Sequence, residues 1–429
     1  MKECYGVPIP ERFRQDQPVD LVLAMRPFNE SSNWFAAAGA CATSSEQDGR
    51  PVAGVIYLNF HHIRIKQLNY YYLPLIFIHE VMHILGVNYG TFQSRNVVGN
   101  INVGGKTRLA ITSPRVVEYA KKHFGCDEVD GVMIEDDGGN GSKGSHWEKA
   151  LLSSEVMNPM VAYPARISNF SIKLLEDLGW YKEATEDKLA AQDYVFHKGT
   201  GCGMVKNGQC NGEDKEYCST AERSTADHCT VNLQGKANCH SNYFTDGCNY
   251  VAPRSTGLCT LASEGENYKK FAIESYGAHS RCFMAASNSG FAAACLRTRC
   301  ENGKVQFQIK DDVITCEKEG EMNVDVDGFK GKIKCPSAEH MCKEVMDDRC
   351  PMDCSGHGYC MKGNQCQCMA GYTGSDCNTC TTCKKETNPF VTGYNIENTG
   401  GKGDDDNLPT DILELQRNYV FYNRSLKVN

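Results

Sequence analysis

The sequence predicts an α+β fold in several parts, and three observations carry that expectation. A strand-like run at 52–60 is followed by a longer apolar stretch at 73–85 that reads as one buried helix. The 24 cysteines are unevenly placed, three before residue 200, thirteen from Cys202 to Cys342 and eight from Cys350 to Cys383. Between 191 and 345 those cysteines alternate with glycines and short strand-like runs, the pattern of a mostly β region in which disulfides substitute for a large core. With 429 residues the chain has room for roughly two to four domains.

The elements follow in order. Residues 19–25 and 52–60 read as strands. The helix at 73–85 has Pro74 in its first turn and Gly86 where the chain must turn away. Ser113 and Pro114 predict a capped helix running to about Phe124, and another helix is expected from about Ser168 to Leu178. Cys350, Cys354, Cys360, Cys366, Cys368 and Cys377 form a separate small disulfide-rich module. Residues 384–429, with Gly400-Gly401-Lys402-Gly403-Asp404-Asp405-Asp406, read as linker and tail, although the apolar residues at 419–422 can dock.

The helix at 73–85 contains His79-Glu80-Val81-Met82-His83. Four helical residues turn through roughly 400°, so His79 and His83 share one face, one turn apart, and can hold one metal ion from the same side. Glu80 lies just off that face, within reach of a metal-bound water. The bland alternative is a set of satisfied core histidines. The surrounding Leu75, Ile76, Phe77, Ile78, Val81, Met82, Ile84 and Leu85 weigh against it, because three polar groups on a buried helix need a partner. Hydrolytic zinc sites use three protein ligands and leave a fourth position to water. The compact spacing H-E-x-x-H-x-x-G-x-x-H fits Gly86 but meets Tyr89 where a histidine would stand, so the third ligand comes from elsewhere. The best candidate is His146, which follows the flexible run Gly138-Gly139-Asn140-Gly141. His61 and His62, in an apparent strand, and His123, at a helix end, compete less well.

The chain resembles the leishmanolysin family of metzincins. The matching segments include Asp48-Gly49-Arg50-Pro51-Val52-Ala53-Gly54, His79 to Gly86, Thr112-Ser113-Pro114-Arg115, His123-Phe124-Gly125-Cys126, Ser145-His146-Trp147-Glu148-Lys149 and Leu174-Leu175-Glu176-Asp177-Leu178-Gly179-Trp180-Tyr181. The resemblance covers about residues 1–345, strongly to Tyr181 and then mainly through cysteine placement. It implies a metzincin-type catalytic domain, a twisted sheet plus an active-site helix, with an inserted central subdomain that displaces the third histidine. It implies one zinc ion (Zn2+) per chain on His79, His83 and His146, with Glu80 as catalytic base and Met157, in Glu155-Val156-Met157-Asn158-Pro159, as the methionine of a turn beneath the metal. It also implies the bridges Cys4–Cys41 and Cys126–Cys202. Metzincins align an extended substrate on an edge strand, a role for which the run 52–60 is one candidate. The spacing Cys366-x-Cys368 followed by Gly374-x-x-Cys377 resembles an epidermal-growth-factor-like repeat and implies Cys350–Cys360, Cys354–Cys366 and Cys368–Cys377. Such a module serves as a rigid spacer or, less readily, as a surface for a cell-surface or matrix partner.

The expected organisation is 1–92, an N-terminal catalytic subdomain with the zinc helix; 93–190, the insertion with the third ligand and methionine turn; 191–345, the cysteine-rich domain; 346–383, the growth-factor-like module; and 384–429, linker and tail. The expected activity is hydrolysis of protein or peptide substrates by a zinc-activated water. The alternative is a cell-surface adhesion protein in which proteolysis is secondary, although the intact Glu80 and three histidines favour an enzyme. Net charge is −8 without a basic stripe, which excludes nucleic acid as an evident partner. The even, dense cysteines indicate an oxidising compartment, and paired C-x-x-C…C-x-x-C spacing that would suggest a cytosolic multi-zinc protein is missing. N-x-S sequons at Asn29, Asn169 and Asn423 fit an extracellular or cell-surface glycoprotein, while Asn140 lies too near the expected cleft. No apolar leader or lipid-anchor tail is visible and no run is long enough to span a membrane, so the expectation is a secreted form that begins after a signal and pro-segment.

Overall fold

The computed structural model describes residues 3–9, 20–31, 34–61, 72–160, 165–182, 194–210, 215–219, 227–260, 271–277, 279–287 and 290–345, and parts of the C-terminal module at 358–361, 365–368, 372–375, 377 and 379–381. Two short strands, β1 (Glu3–Cys4) and β2 (Val7–Pro8), pair antiparallel. They are tied to the next sheet by Cys4–Cys41. That sheet contains β3 (Val22–Phe28), β4 (Ala36–Ser44) and β5 (Arg50–Asn59) in the order β3-β5-β4. β3 runs parallel to β5, and β4 runs antiparallel to it. Ala53, Val55 and Ile56 are buried on both faces of β5, as a central strand requires. The run 52–60 therefore fails as a substrate-aligning edge. Both its sides are already hydrogen-bonded, and the outer strands of this sheet are β3 and β4.

Helix α1 (Tyr72–Leu85) packs across β4 and β5. The approach is close, because a Cβ on Gly54 of β5 would come within 2.5 Å of Ile84 Cγ2. Next come α2 (Tyr89–Ser94), the hairpin β6 (Val98–Val103) and β7 (Lys106–Ile111), α3 (Pro114–Phe124) and β8 (Val132–Met133), which pairs with β7. Helix α4 (Asn169–Asp177) packs on α3. Ser113 occupies the cap position of α3, yet its hydroxyl makes no cap bond. Asp177 from α4 does so instead, accepting from the backbone N–H of Arg115 at 3.0 Å and of Val116 at 3.2 Å. A carboxylate at a helix N-terminus opposes the helix dipole with a full charge, which a hydroxyl cannot match.

One apolar core joins Met82 of α1 to Phe124 of α3, Trp147, Leu152, Met157 and Phe170 of α4. It continues past residue 190, because Tyr194, Phe196, Met204, Tyr217 and Tyr250 pack into the same cluster. The Cys126–Cys202 bridge holds α5 (Gly203–Asn207) against this body. Downstream the chain is mostly strand. β9 (Asp227–Cys229), β10 (Gly235–His240) and β11 (Tyr250–Leu258) form one antiparallel sheet. β12 (Ser280–Ala286), β13 (Ala292–Glu301), β14 (Lys304–Ile309), β15 (Asp312–Thr315), β16 (Gly320–Val326) and β17 (Phe329–Cys335) form a second, ordered β15-β14-β13-β12-β17-β16. Its apolar face holds Phe283, Leu296, Phe307 and Ile333. Six bridges staple this region: Cys210–Cys248, Cys218–Cys239, Cys229–Cys282, Cys259–Cys295, Cys300–Cys342 and Cys316–Cys335.

In the module, Cys368 and Cys377 are bridged. The expected pairs Cys350–Cys360 and Cys354–Cys366 involve residues outside the described set, as do His62, Asn423 and the tail at 384–429. Asn29 is exposed just after β3, whereas Asn169 opens α4 with Ser171 of its sequon buried. No described helix is long and apolar enough to cross a membrane.

Candidate metal centre

Helix α1 presents His79 and His83 one turn apart, and a segment 63 residues further on brings His146 onto them. The three Nε2 atoms form a nearly equilateral triangle, with 3.1 Å from His79 to His83, 3.1 Å from His79 to His146 and 3.2 Å from His83 to His146. Each ring's other nitrogen meets a backbone carbonyl, which can only accept. His79 Nδ1 donates to Val156 O at 2.7 Å, His83 Nδ1 to Val87 O at 2.6 Å and His146 Nδ1 to Ser142 O at 2.9 Å. The protons are therefore on Nδ1, and three Nε2 lone pairs converge on one point with no donor among them. A cation at that point would satisfy all three lone pairs. Zinc–nitrogen bonds of about 2.0–2.1 Å at tetrahedral angles require N···N separations of roughly 3.3 Å, which these rings match within about 0.2 Å.

Local sequence builds each part. At Gly86 the backbone adopts φ +122°, so the chain reverses and the Val87 carbonyl reaches back to His83. A side chain there would be strained in backbone and would bring its Cβ to 2.9 Å from Leu178 Cδ1. His146 arrives through a short ladder. The Glu135 N–H donates to His146 O at 2.9 Å, Ile134 bridges to Trp147, and the Trp147 N–H donates to Met157 O at 3.0 Å. Met157 is fully buried in the turn whose preceding carbonyl holds His79. Beneath it the buried Glu155 accepts from Ser168 Oγ at 2.8 Å, Ser171 Oγ at 2.7 Å and the Met157 N–H, while Trp147 Nε1 donates to Ser171 Oγ at 2.9 Å. Tyr89 starts α2, and its N–H donates to Ser145 Oγ at 3.3 Å, on the segment that delivers His146.

The electrostatics keep the three imidazoles neutral. Burial pushes the His79 imidazole down to about 3, with the neighbouring His83 adding to the shift. Burial likewise lowers His83, and it holds His146 well below its ordinary value, with the other two rings contributing. Glu80 is 5 % exposed, its Oε2 has no hydrogen-bond partner among the described residues, and burial pushes it up to about 8. His123, by contrast, donates Nε2–H to Phe196 O at 2.8 Å within the core. Neither it nor His61 joins a potential metal cluster among the described residues. The three orienting carbonyls and the Glu155 network were not readable from the sequence. Every residue carries a carbonyl, and Glu155 looked like any acidic turn residue.

A family model described as Leishmanolysin matches residues 2–348, and one described as Teneurin-like EGF domain matches residues 350–380. The ciliated left-right organizer metallopeptidase of Xenopus laevis is 26% identical over 70% of this chain and 43% of its own length. The leishmanolysin homolog of Crithidia fasciculata is 25% identical over 76% of this chain and 55% of its own. The leishmanolysin of Leishmania major is 26% identical over 76% and 60%. The chain thus spans about half the length of the curated relatives it matches.

Proposed function

The chain belongs to the leishmanolysin family, a family of metallopeptidases, and on that premise we propose that it is a zinc-dependent endopeptidase acting on proteins. In this reading His79, His83 and His146 hold the metal, Glu80 is the general base and Met157 lies in the turn beneath. The observation that carries it is the triangle of Nε2 atoms, each ring locked from behind by a carbonyl. Three neutral imidazoles without a thiolate suit zinc in a hydrolytic site. When bound, zinc supplies Lewis acidity that polarises a scissile carbonyl and brings the pKa of water toward about 7.

The chain's own residues do the rest. Glu80 accepts the proton of the attacking water and passes it to the departing amine. Its buried, unpartnered Oε2 supports that role, because a carboxylate deprived of solvent is a stronger base than one in water. Strand β4, an outer strand that α1 packs against, is the edge on which we align an extended substrate. The layout follows the metzincin plan, divided at 1–92, 93–190, 191–345, 346–383 and 384–429, with the first core reaching into the third part. The disulfides support an extracellular or cell-surface setting. In the competing reading the C-terminal module is an adhesion surface and proteolysis is secondary. The complete set of Glu80 and three histidines favours the enzyme.

The test is cleavage of a generic protein such as casein, with metal analysis of the purified chain. One zinc per chain and cleavage that a chelator abolishes and zinc restores are expected. Chelator-resistant cleavage, or an intact triad that takes no zinc, removes the proposal.

A further inference from the structure

Next to the His146 segment lies a second group of oxygen ligands that the proposed hydrolysis does not use. Carboxylate oxygens of Glu135, Asp136 and Asp137 lie within 4.8 Å of one another, and Asp136 makes an equally close group with Glu148 and Asp246. Among the described residues two cations, Arg108 and Lys149, face these five carboxylates. Arg108 engages Asp136 at 3.0 Å, Glu148 at 2.8 Å and Asp246 at 2.5 Å. Lys149 is buried, with Nζ 3.3 Å from Asn158 Oδ1 and 5.2 Å from the Tyr250 ring centroid. The charges therefore fall short of balance by three.

The shortfall is felt most at Glu135. It is 1 % exposed, its Oε1 accepts the Asp137 N–H at 3.0 Å, the Lys149 backbone also acts on the carboxylate, and its Oε2 is buried with no hydrogen-bond partner within normal bonding distance among the described residues. An orphaned buried carboxylate oxygen is costly unless a proton or a cation meets it.

We propose that the Glu135–Asp136–Asp137 turn binds a hard divalent cation, calcium, as a second metal site distinct from the histidine triangle. All its donors are carboxylate oxygens, which suit calcium and not a metal that prefers nitrogen. Calcium also tolerates the irregular geometry that a turn offers, whereas magnesium demands a near-ideal octahedron. The site is coupled to the first through the backbone. The Glu135 N–H donates to His146 O at 2.9 Å, and the Gly144 N–H donates to Glu135 O at 2.7 Å. A cation on the Glu135 carboxylate thus steadies the strand end that presents His146.

The experiment uses the full chain, loaded with zinc and freed of calcium, so its readout does not depend on protease activity. Calcium chloride is titrated by calorimetry, and melting temperature is followed in parallel. The expected dissociation constant is about 10⁻⁴–10⁻³ M, with a melting-temperature rise of about 3 °C or more at saturation. Asp137→Asn, at a partly exposed side chain, and Glu135→Gln, which keeps shape and removes charge, should each weaken binding at least about tenfold. A loss in either variant, with the zinc content of the parent, supports the site. No calcium uptake by the parent up to about 10 mM, or parental binding by both variants, overturns it.

Discussion

The part of the molecule that carries the imidazoles and the part downstream of residue 250 reach rigidity by different routes. Around the histidine triangle the order comes from a close-packed core of Met82, Phe124, Trp147, Met157 and Phe170, and from carbonyls that each fix one ring. Each such buried side chain contributes about 1.5–3 kcal/mol. Downstream, β12 to β17 form a single broad sheet with a thinner apolar cluster, and disulfides such as Cys259–Cys295, Cys300–Cys342 and Cys316–Cys335 brace it. A site that must hold three nitrogens at 3.1–3.2 Å is better placed by packing, which leaves little slack in any direction, than by staples that constrain two points each.

The largest expected effect separates chemistry from structure within the first region. Glu80→Gln should lower kcat by about 10³-fold or more while zinc content stays at one per chain and thermal stability does not fall. His146→Ala should lose zinc as well as activity, because two imidazoles cannot make up a hydrolytic site. Metal analysis beside a cleavage assay distinguishes the two. Zinc loss in Glu80→Gln would mean that the carboxylate is a structural member of the cluster.

Next in size is a change confined to the second region. Replacing Cys316 and Cys335 by alanine opens a bridge spanning 19 residues. Loop-closure entropy puts the loss at about 3 kcal/mol. Denaturant unfolding should register it in the downstream sheet, with zinc affinity unaltered. If zinc is released at the same denaturant concentration as that sheet melts, the two regions are one cooperative unit and the contrast fails. A smaller loss, about 2 kcal/mol, is expected for Gly86→Ala, from strain at φ +122° and the 2.9 Å approach to Leu178. Because it displaces Val87, which orients His83, this substitution should weaken zinc binding along with stability, as a calorimetric zinc titration would reveal.

The same contrast explains what could be read from the sequence. Helix α1 was legible because an apolar run with polar residues four apart has one physical reading, and α3 and α4 were legible from proline, serine and periodicity. The strands near 22–28 and 50–59 were placed within a few residues, but their order was not. Which strand is central depends on pairing between segments, so the run 52–60 was a candidate edge until β3 and β4 were found on either side of it. The Ser113 cap was a sound local expectation overridden by Asp177, a residue 61 positions from Val116, which no local pattern anticipates. Met157 was named through family resemblance, which also backed His146, already the best third candidate from its place after a glycine-rich run. The carbonyls of Val87, Ser142 and Val156, which decide the tautomers, had no sequence signal.

The smallest predicted effect tests the border between the two regions, at His197. This ring is fully buried beyond the expected boundary at residue 190, with its Nε2 2.8 Å from Tyr217 Oη and its backbone N–H donating to Glu216 Oε1 at 2.9 Å. Burial pushes its pKa down to about 3, and His123 adds to the shift. The folded value lies below the unfolded one of about 6.5, so between those two pH values the unfolded chain binds the extra proton. The neutral ring's contribution is complete above about pH 6.5 and is lost as pH falls from there toward 3. Each proton taken up only on unfolding steepens the decline by about 1.4 kcal/mol per pH unit. His197→Asn, chosen because asparagine tolerates the residue's φ of +56°, should therefore lose about 1 kcal/mol less per unit than the parent between pH 6 and 5. The zinc-free forms are the ones to compare by denaturant unfolding at each pH. His79, His83 and His146 act in the same direction, and buried Glu80 and Glu155 act oppositely, but all five are common to both proteins and cancel in the difference. Parallel slopes would mean that His197 gains its proton without unfolding. The seam beside Tyr217 would then open to water, and the first core would end near residue 190 after all.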